Sequence, residues 1–215
     1  MFKYLDKLNE HDRIKKRAIC GEISKPVDIE YGLMIPEGEL GDKKFPICVF
    51  LPSAGMGSFL DCNITDRLNK IKELYYYIQI CYDKDYVDID GVKDAIDVTL
   101  RENPNADPKR IYLIGFSLGA RIQYQCLINH QNYYAGALIM AGVADPHRGW
   151  RIDCNTWQFH GSQDTVVSPE ESRNMFHELK SRDSKLSILK NTGHNSIWVL
   201  ESEQVLKWLF SQKRQ

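Results

Sequence analysis

The residues with the clearest chemical potential centre on Ser117, in the segment Gly-Phe-Ser-Leu-Gly at 115–119. An apolar run that begins at Ile111 precedes the segment and predicts a buried strand, and a helical pattern follows it. A serine hydroxyl is a weak nucleophile unless it is aimed and activated. Glycines on either side of the serine allow a sharp strand-to-helix turn that aims it. We therefore predict Ser117 as a nucleophile, with the backbone N–H of Leu118 as an oxyanion donor.

The pentapeptide by itself is a weak signal, because glycine and serine are both common residues. A glycine-rich turn of a Rossmann-like sheet is the alternative interpretation. The strand before the serine, the helix after it and suitable partners further along the chain favour a nucleophile.

A nucleophilic serine needs a base that takes its proton and an acid that orients this base. The candidates for the base are His194 and His160. His194 follows the last predicted strand and is the only histidine beyond it, whereas His160 ends an earlier strand. When such a serine motif lies on a parallel sheet, the acid and then the histidine follow it in the chain, which favours His194. A surface-loop histidine is the alternative interpretation of His194.

Two aspartates are candidates for the acid, and each follows a predicted strand. Asp164 comes after the second strand beyond the serine, and Asp145 comes after the first. The carboxylate would hold the tautomer of the imidazole and stabilise the imidazolium during proton transfer. Both aspartates fit the order of the chain, so Asp164 is a candidate with Asp145 as the alternative.

The second oxyanion donor is expected in the loop after the strand that ends at Leu51. Pro52 has no N–H to donate. We predict the N–H of Ala54, with that of Ser53 as the alternative.

The elements that must position these residues alternate between strands and helices from Ile47 onward. This alternation predicts an α/β fold, a mostly parallel sheet with helices on both faces. Because the carboxyl ends of parallel strands share one rim, Ser117, Asp164 and His194 should lie together there. The residues between 142 and 155 are too few for a helical cap domain. Strands are predicted at 18–23, 29–35, 47–51, 75–81, from 111 to the serine motif, and at 135–141, 157–160 and 186–189. Helices are predicted at 61–72 and 92–100, after the serine motif, and at 168–179 and 197–210.

The length and composition predict one α/β domain over residues 1–215, with 1–18 as a peripheral N-terminal segment. The 28 Lys and Arg residues nearly balance the 29 Asp and Glu residues, which gives no reason to expect a nucleic-acid partner. No signal peptide and no membrane-spanning run is apparent, so no membrane insertion is expected.

The six cysteines contain no Cys-x-x-Cys pair, which favours reduced thiols in a cytoplasmic protein. No cluster of His, Cys and Asp has the spacing of metal ligands, so neither a metal nor another cofactor is expected.

Three segments of the sequence carry a resemblance to a known family. They are the serine motif with 107–112 before it, the Phe-His-Gly-Ser-Gln-Asp stretch at 159–164, and the Gly-His-Asn-Ser-Ile-Trp stretch at 193–198. Over roughly residues 29–214 the chain resembles the α/β-hydrolase superfamily. Within it, the chain is similar to the small serine esterases and predicted peptidases related to prolyl oligopeptidase catalytic domains, feruloyl esterases and polyhydroxybutyrate depolymerases. The resemblance implies the nucleophile Ser117, the acid Asp164, the base His194, and the oxyanion donors Leu118 and Ala54.

One departure from the family pattern lies after the strand that ends at Leu51. The family usually has His-Gly there, and this chain has Pro52-Ser53. An oxyanion hole is built from backbone, so activity can survive the change. A misplaced donor costs on the order of a hundredfold in rate. The departure therefore predicts a less efficient oxyanion hole.

The resemblance and the motifs together predict a serine hydrolase that cleaves small-molecule carboxylic esters through an acyl-enzyme. A peptidase of the prolyl oligopeptidase type and a non-catalytic small-molecule-binding relic of the fold are the alternatives. The natural ester and the oligomeric state are left open. Four large apolar side chains could line an acyl or alcohol pocket: Met56, Phe59, Trp150 and Trp198.

Overall fold

A computed structural model of the chain describes residues 2–3, 30–36, 39–53, 62–81, 87–181 and 183–214. This part of the chain contains eight strands, which belong to one sheet. They are β1 (Phe2–Lys3), β2 (Glu30–Pro36), β3 (Phe45–Leu51), β4 (Tyr76–Cys81), β5 (Ala106–Phe116), β6 (Gly136–Met140), β7 (Asn155–Gly161) and β8 (Lys185–Leu189).

The order of the strands across the sheet is β1-β2-β4-β3-β5-β6-β7-β8. The pairs β1–β2 and β2–β4 are antiparallel, and all five remaining pairs, from β4–β3 to β7–β8, are parallel. The three strands that precede the predicted serine, acid and histidine therefore end at the same rim. The predicted mostly parallel sheet is confirmed.

Five α-helices and three 3₁₀ helices connect the described strands. The α-helices are α1 (Cys62–Leu68), α2 (Ile89–Glu102), α3 (Leu118–Asn129), α4 (Pro169–His177) and α5 (Glu203–Phe210), and the 3₁₀ helices are Asn69–Ile71, Pro146–Arg151 and Ile197–Glu201. Helices α2, α3 and α4 contribute to the apolar core on one face of the sheet, and α1 and α5 contribute to the core on the other. The helices cover both faces, as the alternation of elements predicts.

The centre of the sheet is apolar on both faces because its strands are covered on both sides. All seven residues of β3 are buried. Successive side chains of this strand alternate between the two cores: Val49 packs on the side of α2 and α3, and Phe50 on the side of α1 and α5. Strand β5 lies beside β3, with Ile114 opposite Phe50. The turn that carries Ser117 therefore follows a strand that is buried on both faces of the sheet.

Three buried cysteines contribute to these cores. Cys48 lies in β3, Cys126 in α3 and Cys154 directly before β7, and none of the three forms a disulfide. Burial raises the pKa of the Cys126 thiol and of the Cys154 thiol to about 12. These thiols thus behave as small apolar side chains, as the sequence predicts.

Two elements differ from the prediction by more than a shift of one to three residues at their ends. Strand β5 begins at Ala106 rather than at Ile111, because the N–H of Phe45 donates to Asn105 O at 2.8 Å and extends the pairing with β3. The predicted terminal helix is divided at Ser202, whose backbone is extended with φ −81° and ψ 115°. The 3₁₀ helix Ile197–Glu201 ends there and α5 begins.

The predicted strand at 18–23 lies outside the described residues, as does most of the predicted peripheral segment. Among the described helices, none has the length and apolar character that a membrane crossing requires. The single-domain organisation and the cytoplasmic location stay predictions.

Candidate active site

The turn after β5 places Ser117 at the carboxyl end of a central strand. Strand β5 ends at Phe116, α3 begins at Leu118, and Ser117 between them has φ 55° and ψ −116°. A positive φ is uncommon for a residue with a side chain and costs about 1 to 3 kcal/mol. The N–H of Ser117 donates to Met140 O at 2.9 Å, which ties the turn to β6.

Gly119 allows α3 to approach the end of β3. A Cβ at this position would lie closer than 3.0 Å to backbone atoms of Leu51 and Pro52. Because these are backbone atoms, no rotation of a side chain would relieve the overlap. The start of α3 and the loop after β3 are consequently in direct contact beside Ser117.

A continuous path of hydrogen bonds joins Ser117 to His194 and Asp164. The His194 Nε2 is 2.8 Å from Ser117 Oγ, and its Nδ1 is 2.8 Å from Asp164 Oδ2. An ionised carboxylate only accepts hydrogen bonds, so Nδ1 carries the proton and Nε2 accepts from the serine hydroxyl. This is the arrangement that makes an imidazole a base toward a hydroxyl.

The carboxylate of Asp164 is buried and well supplied with donors. Its Oδ1 accepts the N–H groups of Val166 and Val167, at 2.8 and 3.0 Å. Burial alone would raise the pKa of this carboxyl, but hydrogen bonds from Val167, His194 and Val166 outweigh it and hold the pKa below its usual value. The acid therefore stays ionised at neutral pH and can hold the imidazole.

The lowered pKa of Asp164 predicts a pH-dependent contribution to stability. A carboxyl whose pKa is lower in the folded than in the unfolded state, where it is about 3.9, stabilises the fold above about pH 4. This contribution is lost as the pH falls through the folded-state pKa. We expect the melting temperature of the wild type to exceed that of Asp164→Asn by a constant amount between pH 5 and 8. The gap should shrink below about pH 4, and a gap that widens with acidification would contradict the assignment.

The loops that carry the acid and the histidine are tied to each other. The N–H of Ser162 donates to Leu189 O and that of Gln163 to Thr192 O, both at 2.9 Å. In the opposite direction, the N–H of Asn191 donates to Ser162 Oγ at 3.1 Å. The position of His194 relative to Asp164 is thus fixed by backbone contacts between the two loops.

Phe116 packs against the imidazole of His194, with ring centroids 5.3 Å apart and an angle of 39° between the planes. Sequence reasoning did not single out this residue. Phe116 is the residue between the glycine and the serine of the motif, a position at which the motif allows any residue type and therefore predicts no contact.

The two predicted oxyanion donors, which stay predictions, are the N–H of Leu118 at the start of α3 and an N–H in the loop after β3. Leu118 is the first residue of α3, where a backbone N–H has no acceptor within the helix. Ser53, the alternative second donor, is half-buried two residues after the end of β3. Ala54 lies outside the described residues, so the identity of the second donor stays a prediction.

Asp145 and His160, the alternative acid and base, do not take part in the path of hydrogen bonds that leads from Ser117 through His194 to Asp164. Asp145 caps the 3₁₀ helix Pro146–Arg151, where its Oδ1 accepts the N–H of His147 at 3.1 Å. His160 faces the acid instead of the serine, with Nε2 3.2 Å from Asp164 Oδ2. The position of His160 near the end of β7 predicted that it lies close to the rim that carries Ser117. It did not predict which residue its side chain faces.

Two of the four candidate pocket residues, Trp150 and Trp198, belong to the part of the chain that the structure describes. Trp150 is 48% exposed and lies under the side chains of Arg151 and Lys180. Trp198 is 47% exposed, in the 3₁₀ helix that follows the His194 loop. Met56 and Phe59 lie outside the described residues. Among the residues that are described, no group of three or more His, Cys, Asp and Glu could hold a metal ion.

The parallel sheet, the turn at Ser117 and the order of the strands are those of an α/β-hydrolase. The family described as Phospholipase/Carboxylesterase matches residues 88–210, more than half of the chain. The chain belongs to this family of α/β-hydrolases, and the resemblance inferred from its motifs is confirmed. The matched segment contains Ser117, Asp164 and His194.

A curated relative and several solved structures are also similar to the chain. It is 26% identical over 159 residues to "Putative alpha/beta hydrolase L404" of Acanthamoeba polyphaga mimivirus, an alignment that covers 63% of this chain and 60% of that protein. A structure described as a thermostable esterase has a TM-score of 0.78 and 23% identity, over 88% of this chain and 60% of its own. The chain thus spans 60% of the length of each of these relatives.

Two further structures show how widely the fold is shared. An acylaminoacyl peptidase of Pyrococcus horikoshii has a TM-score of 0.72 and 13% identity, over 90% of this chain and 41% of its own. A monoacylglycerol lipase of Paleococcus ferrophilus has a TM-score of 0.63 and 13% identity, over 86% of this chain and 99% of its own. At such identities the likeness shows the fold alone.

Proposed function

We propose that this chain is a serine hydrolase that cleaves carboxylic esters of small molecules through an acyl-enzyme. The observation that carries the proposal is the path of hydrogen bonds from Ser117 through His194 to the buried Asp164, with two links of 2.8 Å each. Membership of the phospholipase/carboxylesterase family supports an ester as the substrate.

In the acylation half of the proposed reaction, Ser117 Oγ attacks the carbonyl carbon of the ester while His194 Nε2 takes the hydroxyl proton. Asp164 remains ionised and stabilises the imidazolium through Nδ1. In our proposal, hydrogen bonds from the N–H groups of Leu118 and Ala54 stabilise the negative charge that develops on the carbonyl oxygen. As the intermediate collapses, the bond to the alcohol breaks and His194 gives its proton to the departing oxygen.

In the deacylation half, water attacks the acyl group on Ser117 and His194 Nε2 takes a proton from this water. The bond from the acyl carbon to Ser117 Oγ then breaks, and His194 returns the proton to the serine. The products are a carboxylic acid and an alcohol, and the site returns to its starting protonation.

A covalent probe and two substrate classes test this proposal together. A fluorophosphonate should add one equivalent to the native protein, at Ser117, and p-nitrophenyl butyrate should be hydrolysed. Ser117→Ala should lose both reactions. Ser211→Ala, an exposed serine next to α5, is the matched control and should keep both.

The result that overturns the proposal is a native protein that is neither labelled nor active on a panel of short acyl esters. Ligand-dependent thermal stabilisation of such a protein would favour the binding relic. Cleavage of aminoacyl arylamides in preference to esters would instead support a peptidase.

A further inference from the structure

The carboxylate of Asp164 has a second histidine neighbour. Its Oδ2 lies 2.8 Å from His194 Nδ1 and 3.2 Å from His160 Nε2. The proposed reaction uses only the first of these imidazoles. His160 is fully buried, so its contact with the acid is shielded from water.

The partners of His160 fix which of its nitrogens carries a proton. Its Nε2 also lies 3.0 Å from the backbone oxygen of Val167. A carbonyl oxygen and an ionised carboxylate both accept only, so Nε2 carries a proton. This N–H donates to Val167 O, and Asp164 Oδ2 lies beside the bond. The Nδ1 atom is 2.7 Å from the hydroxyl of Ser172, which can donate to it. One neutral tautomer satisfies all these contacts.

His160 is held in place by two elements of the core, the strand β7 and the helix α4. It is the penultimate residue of β7, and Ser172 on the other side of the ring is a buried residue of α4. Asp164, in contrast, lies on the loop after β7. The imidazole thus connects the loop that holds the acid to a strand and a helix of the core.

We infer that His160 is a positioning residue of the active site. Its Nε2–H holds the backbone of Val167, whose own N–H donates to Oδ1 of Asp164, and it lies beside Oδ2, the oxygen that orients His194. This inference rests on the proposed function, since it gives His160 an effect on catalysis through the acid. The alternative is a buried histidine that contributes to stability alone.

Two substitutions separate these possibilities, because glutamine and asparagine reproduce different nitrogens of the ring. The amide nitrogen of His160→Gln is as many bonds from Cβ as Nε2 and can donate to Val167 O beside Asp164. The amide of His160→Asn reaches only as far as Nδ1, so it can bond to Ser172 but not to Val167 O or the acid. We expect kcat on p-nitrophenyl butyrate to fall about 10- to 100-fold in His160→Asn, the effect of a small misplacement. KM should change little, and His160→Gln should recover most of kcat.

A control on the same strand tests for a general effect of disturbing β7. Gln158 is fully buried two residues before His160, and its amide has no hydrogen-bond partner in the described structure. Gln158→Leu should leave kcat unchanged. His160→Leu is a second variant without a donor, so the comparison with His160→Gln stands if the asparagine variant does not fold.

A measurement without substrate distinguishes failure of this inference from failure of the proposed function. The Nδ1–H proton of His194, bonded to a carboxylate, should give a downfield NMR signal in the wild type and in His160→Gln. The signal should shift upfield or broaden in His160→Asn. An unchanged signal and unchanged kcat in a folded His160→Asn would overturn the role of His160 while leaving the hydrolase intact. A wild type without esterase activity would overturn the proposed function, and the NMR comparison would still decide whether His160 positions the acid.

Discussion

Replacing Ser117 with alanine should lower kcat for p-nitrophenyl butyrate by about 10⁴- to 10⁶-fold, the range seen when one member of such a catalytic group is removed. The reason is that the hydroxyl 2.8 Å from His194 Nε2 is the proposed attacking atom, and the imidazole has no other hydroxyl to activate at that distance among the described residues. The measurement is steady-state hydrolysis, together with a fluorophosphonate titration that counts active sites.

The stability of the Ser117 variants shows whether a loss of activity reflects chemistry or unfolding. Ser117→Ala keeps a residue with a Cβ at φ 55°, so its melting temperature should stay close to that of the wild type. Ser117→Gly relieves the unfavourable φ and should be more stable, although glycine also gains freedom in the unfolded chain. Substantial turnover by folded Ser117→Ala would contradict the role of this serine.

Adding one methyl group at Gly161 should lower kcat by about 100-fold or more, because small displacements of catalytic groups are costly. Gly161 is the last residue of β7, and a Cβ there would lie closer than 3.0 Å to backbone atoms of Thr192 and Gly193. The segment that carries His194 must then move away from the acid loop. Overpacking of this kind should cost about 3 kcal/mol. At about 2 to 4 °C per kcal/mol, the melting temperature should fall by about 6 to 12 °C.

Gly193 provides the matched control, because it lies on the other side of the same contact. A Cβ at Gly193 has Gln163 O as its nearest neighbour, at 4.0 Å, so the methyl group meets open space. Gly193→Ala should therefore have a much smaller effect than Gly161→Ala on both kcat and melting temperature. Equal effects of the two substitutions would contradict the proposed displacement.

The sheet and its central strands could be predicted from the sequence because their burial is continuous. Strand β3 is apolar at every position, and the turn at Ser117 follows an equally apolar run. The division of the last helix at Ser202 could not be predicted, because serine is compatible with both helix and extended backbone. The start of β5 at Ala106 depends on a backbone bond from Phe45, which is distant in sequence.

The arrangement of the candidate site could be predicted only as far as chain order determines it. Ser117, Asp164 and His194 each follow a parallel strand, and parallel strands end at one rim. The contact between His160 and the acid could not be predicted, since it depends on how the loop after β7 turns back over its own strand. The position of Ala54 depends on a loop without any periodic pattern.

The location of His194 has a consequence for how the site responds to partial loss of structure. Its loop follows β8, which pairs with β7 and with no other described strand, and whose residues are half-buried or exposed. Ser117, by contrast, is attached to the middle of the sheet. Local unfolding of β8 at the edge of the sheet would separate His194 from the Ser117 hydroxyl while the central strands stayed folded. Catalytic activity should then be lost at a lower denaturant concentration than the one that unfolds the protein. The backbone amide hydrogens of β8 should also exchange with solvent faster than those of β5.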